Sequence, residues 1–395
     1  MVRFFVGIDI AKLKHQVAVL DERGEPRGKS FSMANSAEGF AILSARLLEL
    51  GSPADFLVGM EATGPYGWPL QYRLTATGYR VAVLNPLQTG AFAKTRIRKT
   101  KTDPIDAKGL AELLRFGKFS PSIIPDERAL RLRELTRYRN IVVGLLNRFT
   151  NLLGARLYRT FPEFAARFPM LCLPTPLGIL AKHPLPVDLV RVPLEQLTGR
   201  VRTLSHGRLG QKVAVEIQEA ARLTIGIPLA GDVYALQIRG IVTVVRTLQI
   251  HLRGLTRRIS QVLGEVPQPL TSIPGVADLS AAALMGEIVD IRLFDDPKKL
   301  VAFAGLDPST FQTGQYQGDH AHISKRGSPP LRRAVWQAAF AALRHNPELR
   351  AYYEKKRKQG KHHKAALGAT ARKLLHIVWR LLTDNRLYEE RPMPH

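Results

Sequence analysis

The sequence predicts an α/β amino-terminal domain over residues 1–120 followed by a mostly all-α remainder, and three observations carry that expectation. Strand and helix patterns alternate through the first 120 residues. Two long stretches with apolar residues three and four apart come next, and helical patterns dominate residues 267–395. Alternation of this kind builds a layered α/β domain, whereas three-four spacing marks one face of a long helix.

Taken in order, "RFFVGIDIA" (Arg3–Ala11) and "HQVAVLDERGE" (His15–Glu25) read as two antiparallel strands. "SAEGFAILSARLLELG" opens on Ser36 as an N-cap, continues with helical apolar spacing and closes on Gly51. "DFLVGMEATG" and "YRVAVLNP" are further short strands, with the helical "GWPLQYRLTATG" between them. "DPIDAKGLAELLRFG" (Asp103–Gly117) starts a helix with Asp-Pro, proline suiting the first turn.

Residues 121–266 read as a coiled-coil region. Leu135, Tyr138, Val142, Leu145, Phe149 and Leu152 keep the three-four spacing. So do Tyr234, Ile238, Ile241, Val245, Leu248, Leu252, Leu255, Ile259 and Val262, over four heptads. A long helix packed inside a bundle has the same pattern. Arginines such as Arg137, Arg148, Arg253 and Arg257 flank both seams and make their outer faces positive. Between the seams, about 161–231 is proline-rich and weakly patterned and reads as an insertion. The last region, 267–395, is helical apart from a loop of Gly, Ser, Thr, His and Lys at about 307–330.

Charge narrows the partner. Lys and Arg number 58 against 33 Asp and Glu, a formal net charge of +25, which suits a polyanion whose counterions are released on binding. No uninterrupted apolar run reaches the roughly 18 residues of a spanning helix. The amino terminus reads as a strand rather than a signal peptide. The single cysteine, Cys172, excludes an internal disulfide and a multi-cysteine zinc site. Nucleic acid in the cytoplasm is the expected setting.

Four carboxylates stand out. Asp9 ends the first strand, Glu61 ends a later one, and Asp103 and Asp106 share one face of a helix start. Carboxylates so ordered form an RNase H-like set, able to hold Mg²⁺ beside a phosphodiester. Each also has a plainer role: helix capping for Asp103, the helix dipole for Asp106, solvation for Glu61. Asp9 on an apolar strand is the hardest to explain that way. The basic run "KTRIRKTKT", with Arg96, Arg98, Lys99 and Lys101, would gather phosphates next to the pair. "IPGVADLSAAALMGEI" resembles a helix-hairpin-helix turn in which Gly275 exposes amides to phosphate, or is an ordinary helical turn. Ser309, Thr310 and Thr313 supply hydroxyls in the 307–330 loop, where His320 and His322 lack zinc spacing. His362 and His363 lie in the basic "KKRKQGKHHK", read as a solvated face touching nucleic acid.

Taken together, "GIDIAK", "GMEATGPYGWPL", "KTKTDPIDAKGLA" and "IPGV…LVAFAGLDPSTFQTGQYQG…ISKRGSPPLRRAVWQAA" resemble the insertion sequence 110 family of DEDD transposases, to which Piv-type invertases are similar. The resemblance covers most of the chain outside 161–231. It implies a RuvC-like amino-terminal domain, a coiled-coil middle and a carboxy-terminal transposase domain. It also implies a recombinase acting on donor and target DNA as a dimer or tetramer, paired to both by a structured bridge RNA, at the nucleoid of a bacterial cytoplasm. By motif match, Asp9, Glu61, Asp103 and Asp106 hold Mg²⁺. Lys325, Arg326, Arg332 and Arg333 lie in the matching carboxy-terminal segment and join the expected nucleic-acid contacts.

The family's serine nucleophile falls at Thr313, a departure. Threonine keeps the hydroxyl and adds a β-branch that restricts χ1. Two other readings stay open at this point: a Mg²⁺-dependent junction-resolving nuclease, in which water replaces the hydroxyl, and a non-catalytic basic nucleic-acid scaffold.

Overall fold

The computed structural model describes residues 2–62, 64–95, 102–117, 119, 121–122, 125–308, 312–313, 316–317 and 322–390. They belong to two units, Met1–Ile124 and Pro125–His395.

In the first unit, alternating apolar residues build β1 (Phe4–Asp9), β2 (Lys14–Asp21), β3 (Phe31–Ala34), β4 (Phe56–Glu61), β5 (Arg80–Leu84) and the short β6 (Pro121–Ser122). They make one sheet in the order β3-β2-β1-β4-β5-β6. β1, β4 and β5 run parallel, while β2, β3 and β6 pair antiparallel with their neighbours. The helices are α1 (Ala37–Leu48), α2 (Trp68–Ala76), α3 (Pro86–Ala93) and α4 (Asp103–Phe116). Ser36 caps α1 as expected, its hydroxyl accepting from the Gly39 amide at 3.2 Å.

One sheet face presents Phe4, Val6, Ile8, Phe56, Val58 and Met60 to Leu43 and Leu47 of α1 and Leu70 and Leu74 of α2. The other packs Phe5 and Leu57 with Leu110, Leu113 and Leu114 of α4. The expected strand-helix order is therefore present. It is joined by β3, α3 and β6, three short elements the pattern did not announce.

Among its described residues, the regular structure of the second unit is helical except for one small hairpin. Two helices of 34 residues each, α5 (Glu127–Thr160) and a later one, are joined by α6 (Pro162–Arg167), α7 (Pro174–Lys182), α8 (Pro186–Val190), α9 (Leu194–Leu204) and α10 (Gln211–Arg222). The later helix is α11 (Gly231–Gly264). Four of the prolines in 161–231, Pro162, Pro174, Pro176 and Pro186, sit in the first turns of α6, α7 and α8, where a missing N–H costs nothing. These helices bury Phe161, Phe164, Leu180, Leu189, Leu197 and Ile217 in a core shared with Leu153 and Leu157 of α5 and Ile238 and Val245 of α11.

The two long helices pack antiparallel against each other. Arg131 meets Glu265 at 2.7 Å near one end and Arg156 meets Gln237 at 2.6 Å near the other. On α11 the expected seam is buried at Ile238, Ile241, Val245, Leu255, Ile259 and Val262. On α5 only Val142 of the six expected positions is buried, whereas Tyr138, Leu145 and Leu152 are exposed. The reason is that α5 divides its surface between α11, α6 and α12 (Asp278–Ile288), so its buried face includes Leu132, Thr136, Val142, Leu153 and Leu157. The seam of α11 is thus used within the chain, as in a packed bundle.

Beyond α12 lie α13 (Pro297–Phe303), the two-residue strands β7 (Gln312–Thr313) and β8 (Tyr316–Gln317), then α14 (Pro329–His345), α15 (Pro347–Lys358) and α16 (His363–Asp384). Among the described residues no helix is long and apolar enough to cross a membrane.

Candidate active site

The site is built from the sheet upward. Side chains alternate along a strand, so Phe5, Gly7 and Asp9 face one side of β1, and Leu57, Gly59 and Glu61 face the same side of β4. That side carries α4. β1 and β4 are paired in register to Ile8 and Met60, so Asp9 and Glu61 come one residue later, at the carboxyl edge of two parallel neighbours.

Contacts at its two ends orient α4. A Cβ on Gly7 would stand 2.0 Å from the Ala107 carbonyl oxygen and 2.6 Å from the Ala111 amide, so only glycine lets the helix lie this close. In the last turn of α4, Arg115 reaches Gly24, beside Asp21, which pairs with Phe4 at the start of β1. The helix therefore runs against β1, and its first turn, with Asp103 and Asp106, points toward the edge where Asp9 and Glu61 end. Asp103 is exposed and the other three carboxylates are half-buried. The capping position belongs to Thr102, leaving Asp103 in the first turn without the capping role.

The fold thus brings all four residues to one face and one edge. Among the described residues, no group of three or more His, Cys, Asp or Glu is gathered closely enough to hold a metal ion. Arg96, Arg98, Lys99 and Lys101 lie outside the described residues, as do Ser309, Thr310 and His320.

In the second unit Thr313 is on β7, paired with Tyr316 of β8 in a small hairpin. Below the hairpin the loop's two legs are zipped together. Pro308 bridges Ile323, the Ser324 amide donates to the Asp307 carbonyl at 2.8 Å, and the Ser324 hydroxyl bonds the Asp307 carboxylate. The Lys325 amide donates to Gly305 at 3.1 Å and the Ser328 amide to Phe303 at 2.7 Å. Lys325 has a positive φ of 54°, and its side chain and that of Arg326 are exposed. Arg332 donates to the Ala304 carbonyl at 3.0 Å, so part of its guanidinium is engaged in the loop's root. Arg333 is exposed; its charge, after burial, helps push the pKa of Arg139 down.

Gly275 has a φ of 91°, and a Cβ there would meet the Ala342 Cα of α14 at 2.6 Å, so the glycine is required by the turn's packing. His322 is exposed. His362 caps α16, its Nδ1 accepting from the Lys364 amide at 3.3 Å, and His363 Nδ1 lies 2.7 Å from the Tyr353 hydroxyl. Both border the basic turn of α15.

Sequence reasoning passed over Glu287. It is 2% exposed and held by Arg137 in a two-pronged pair, Nε to Oε1 at 2.7 Å and Nη2 to Oε2 at 2.9 Å. That fork pushes the Arg137 pKa up, against the opposing effect of burial. A lone carboxylate in the apolar run "ALMGEIV" is the same kind of signal that singled out Asp9.

Residues 6–162 match the transposase family model DEDD_Tnp_IS110, and residues 268–354 match the model described as Transposase IS116/IS110/IS902 family. The chain is 27% identical over 411 residues to the insertion element IS116 uncharacterized 44.8 kDa protein of Streptomyces clavuligerus, covering 99% of this chain and 97% of that one. It is 26% identical over 379 residues to the mini-circle putative transposase for IS117 of Streptomyces coelicolor, covering 92% and 89%. A shorter match, 28% over 123 residues, covers 31% of the chain and 38% of the pilin gene-inverting protein of Moraxella bovis. With two models of one family together spanning more than half of its length, and relatives aligned almost end to end, the chain belongs to the IS110 family of insertion-sequence transposases.

Proposed function

We propose that this transposase exchanges DNA strands through a covalent Thr313–DNA intermediate, with its DNA sites selected by a structured bridge RNA. The observation that carries the reading is the placement of Asp9, Glu61, Asp103 and Asp106 on one face and one edge of the sheet. Four hard oxygen donors suit Mg²⁺, which those residues would hold and which, when bound, polarises a scissile phosphate.

The chain's own residues do the rest. The Thr313 hydroxyl forms an Oγ1–P bond as the P–O bond to the departing strand breaks, and its proton ends on the departing oxygen. The free hydroxyl of a second strand then attacks the same phosphorus, restoring a phosphodiester and returning the proton to Thr313. One P–O bond is made for each one broken, so the exchange needs no external energy source. Lys325, Arg326 and Arg333, with Arg96, Arg98, Lys99 and Lys101, hold nucleic-acid backbones by charge. Arg332 adds the part of its guanidinium not given to Ala304, and the turn at Gly275 borders the same nucleic acid. The exposed stripe of Tyr138, Ile141 and Leu145 along α5 offers a surface for a second copy, in a dimer or tetramer working at the bacterial nucleoid.

The test is to incubate the protein and its copurified RNA with DNA carrying the element's ends and Mg²⁺, then search by mass spectrometry for nucleotide-linked Thr313. The adduct is expected in the unaltered protein and absent from Thr313→Val, while Asp9→Asn and Asp106→Asn cut nothing. Exchange without an adduct removes the nucleophile. Cleavage that survives Thr313→Val favours the water-driven junction nuclease. Activity that survives both aspartate substitutions overturns the carboxylate edge.

A further inference from the structure

We propose that Glu287 is a positioning residue for the loop that carries Thr313, locking the point where the loop returns into α14 onto the long helix α5. The proposal rests on the reading of Thr313 as nucleophile, but its structural half can be measured separately.

Glu287 lies near the end of α12 with 2% of its surface exposed. A buried carboxylate is costly unless it is paired and fully hydrogen-bonded. Here the pairing is close to complete. Arg137 of α5 supplies the two-pronged contact at 2.7 and 2.9 Å, and the Ser328 hydroxyl approaches Oε2 at 3.2 Å. Arg133, one turn earlier on α5, donates from Nε to the Gly286 carbonyl at 2.9 Å, so the carboxyl end of α12 is pressed onto α5 at two successive residues.

Ser328 turns this pair into a clamp on the loop. Its hydroxyl proton goes to Glu287, while the oxygen accepts the Leu331 amide at 3.2 Å and caps α14. Its own amide ties back to Phe303 at 2.7 Å, on the other leg. Gly327 beside it has no room for a side chain, since a Cβ would lie 2.0 Å from the Phe303 carbonyl oxygen. Every part of the root, namely the end of α13, the loop's returning leg and the start of α14, therefore meets the Ser328–Glu287–Arg137 chain. Apolar residues could hold α12 on α5 equally well. They could not fix the direction of the Ser328 hydroxyl, and that direction sets the exit of both legs toward the hairpin with Thr313.

The test compares Glu287→Gln and Ser328→Ala with the unaltered full chain in complex with its RNA. Two measurements are made: amide hydrogen exchange, and the rate of Thr313 adduct formation per folded molecule. The amides of Ser324, Lys325 and residue 328 are expected to exchange faster in both variants. The adduct rate should fall by at least about tenfold in Glu287→Gln with the DNA concentration for half-saturation unmoved, because displacement at a reacting centre lowers the chemical step rather than binding. Ser328→Ala keeps the Arg137–Glu287 pair, so its global stability should be nearer that of the unaltered protein while its loop exchange still rises. A merely structural role would lower the folded fraction and leave both the rate per folded molecule and the local exchange unchanged, which overturns the proposal. If the unaltered protein makes no adduct, the nucleophile reading fails, and unchanged exchange at the three amides then overturns the clamp by itself.

Discussion

Thr313 is the residue at which the proposed chemistry is most exposed to test. A serine in its place would rotate freely about χ1, whereas the β-branch of threonine admits few rotamers and crowds one side of the oxygen. An off-rotamer side chain costs about 0.5–1.5 kcal/mol, worth up to roughly tenfold in rate. Thr313→Ser should therefore form the DNA adduct faster, by up to that factor, in a single-turnover gel assay; an equal or slower rate would show that the branch does not limit attack. Legibility at this scale depended on local contrast. Asp9 could be read because a carboxylate in an apolar strand is conspicuous, and Asp103 and Asp106 because their spacing shares a helix face. Glu287 has the same contrast, but the arginine that explains it lies 150 residues earlier, and no spacing rule connects the two.

Elements decide whether the carboxylates share an edge. The first unit was legible because its strands, covered by helices on both faces, are short apolar runs set between stretches of helical spacing. β3, with four residues, α3, with an internal glycine, and β6, with two residues, were too short to show a period. In α5 the visible stripe was half exposed, at Tyr138, Leu145 and Leu152, because three different neighbours take turns on its buried face. The contact between Gly7 and Ala107 gives a sharp test. Gly7→Ala must push α4 off the sheet and carry Asp103 and Asp106 with it. Overpacking of this kind costs about 1–3 kcal/mol, so a lower thermal midpoint and loss of strand cleavage are expected together. Retained cleavage would mean that α4 does not set the edge. The turn where the far end of α4 docks is held by Asp21, which accepts the Arg23 and Glu25 amides at 2.9 Å each and pairs with Arg27. The Glu25 amide above all, then Arg23 and Arg27, hold its carboxyl below the usual carboxylate range, against an opposing push from burial. Its folded form thus resists protonation. The stability it contributes is present above the ordinary value of about 3.9 and is lost as pH falls through the lower folded value. Acid titration of the fold should show this component, and Asp21→Asn should remove it; an unchanged acid transition would exclude Asp21 from it.

At the scale of the whole molecule, charge couples a protein of net +25 to DNA. Each phosphate neutralised by a Lys or Arg releases counterions, so the logarithm of the binding constant falls linearly with the logarithm of salt concentration, by about 0.9 per contact on duplex DNA. This separates positioning charges from catalytic ones. Lys325 and Arg326 are exposed at the root of the Thr313 loop, so replacing both with glutamine should reduce the slope by about 2 and weaken binding alike for every DNA sequence. If Asp9 holds the cation as proposed, Asp9→Asn should abolish cleavage and leave the slope where it was when binding is measured in EDTA. The two outcomes are independent. A slope unmoved by the double substitution would detach the loop root from the nucleic-acid backbone. A slope that changes with Asp9→Asn in EDTA would make that carboxylate part of the binding surface rather than of the chemistry.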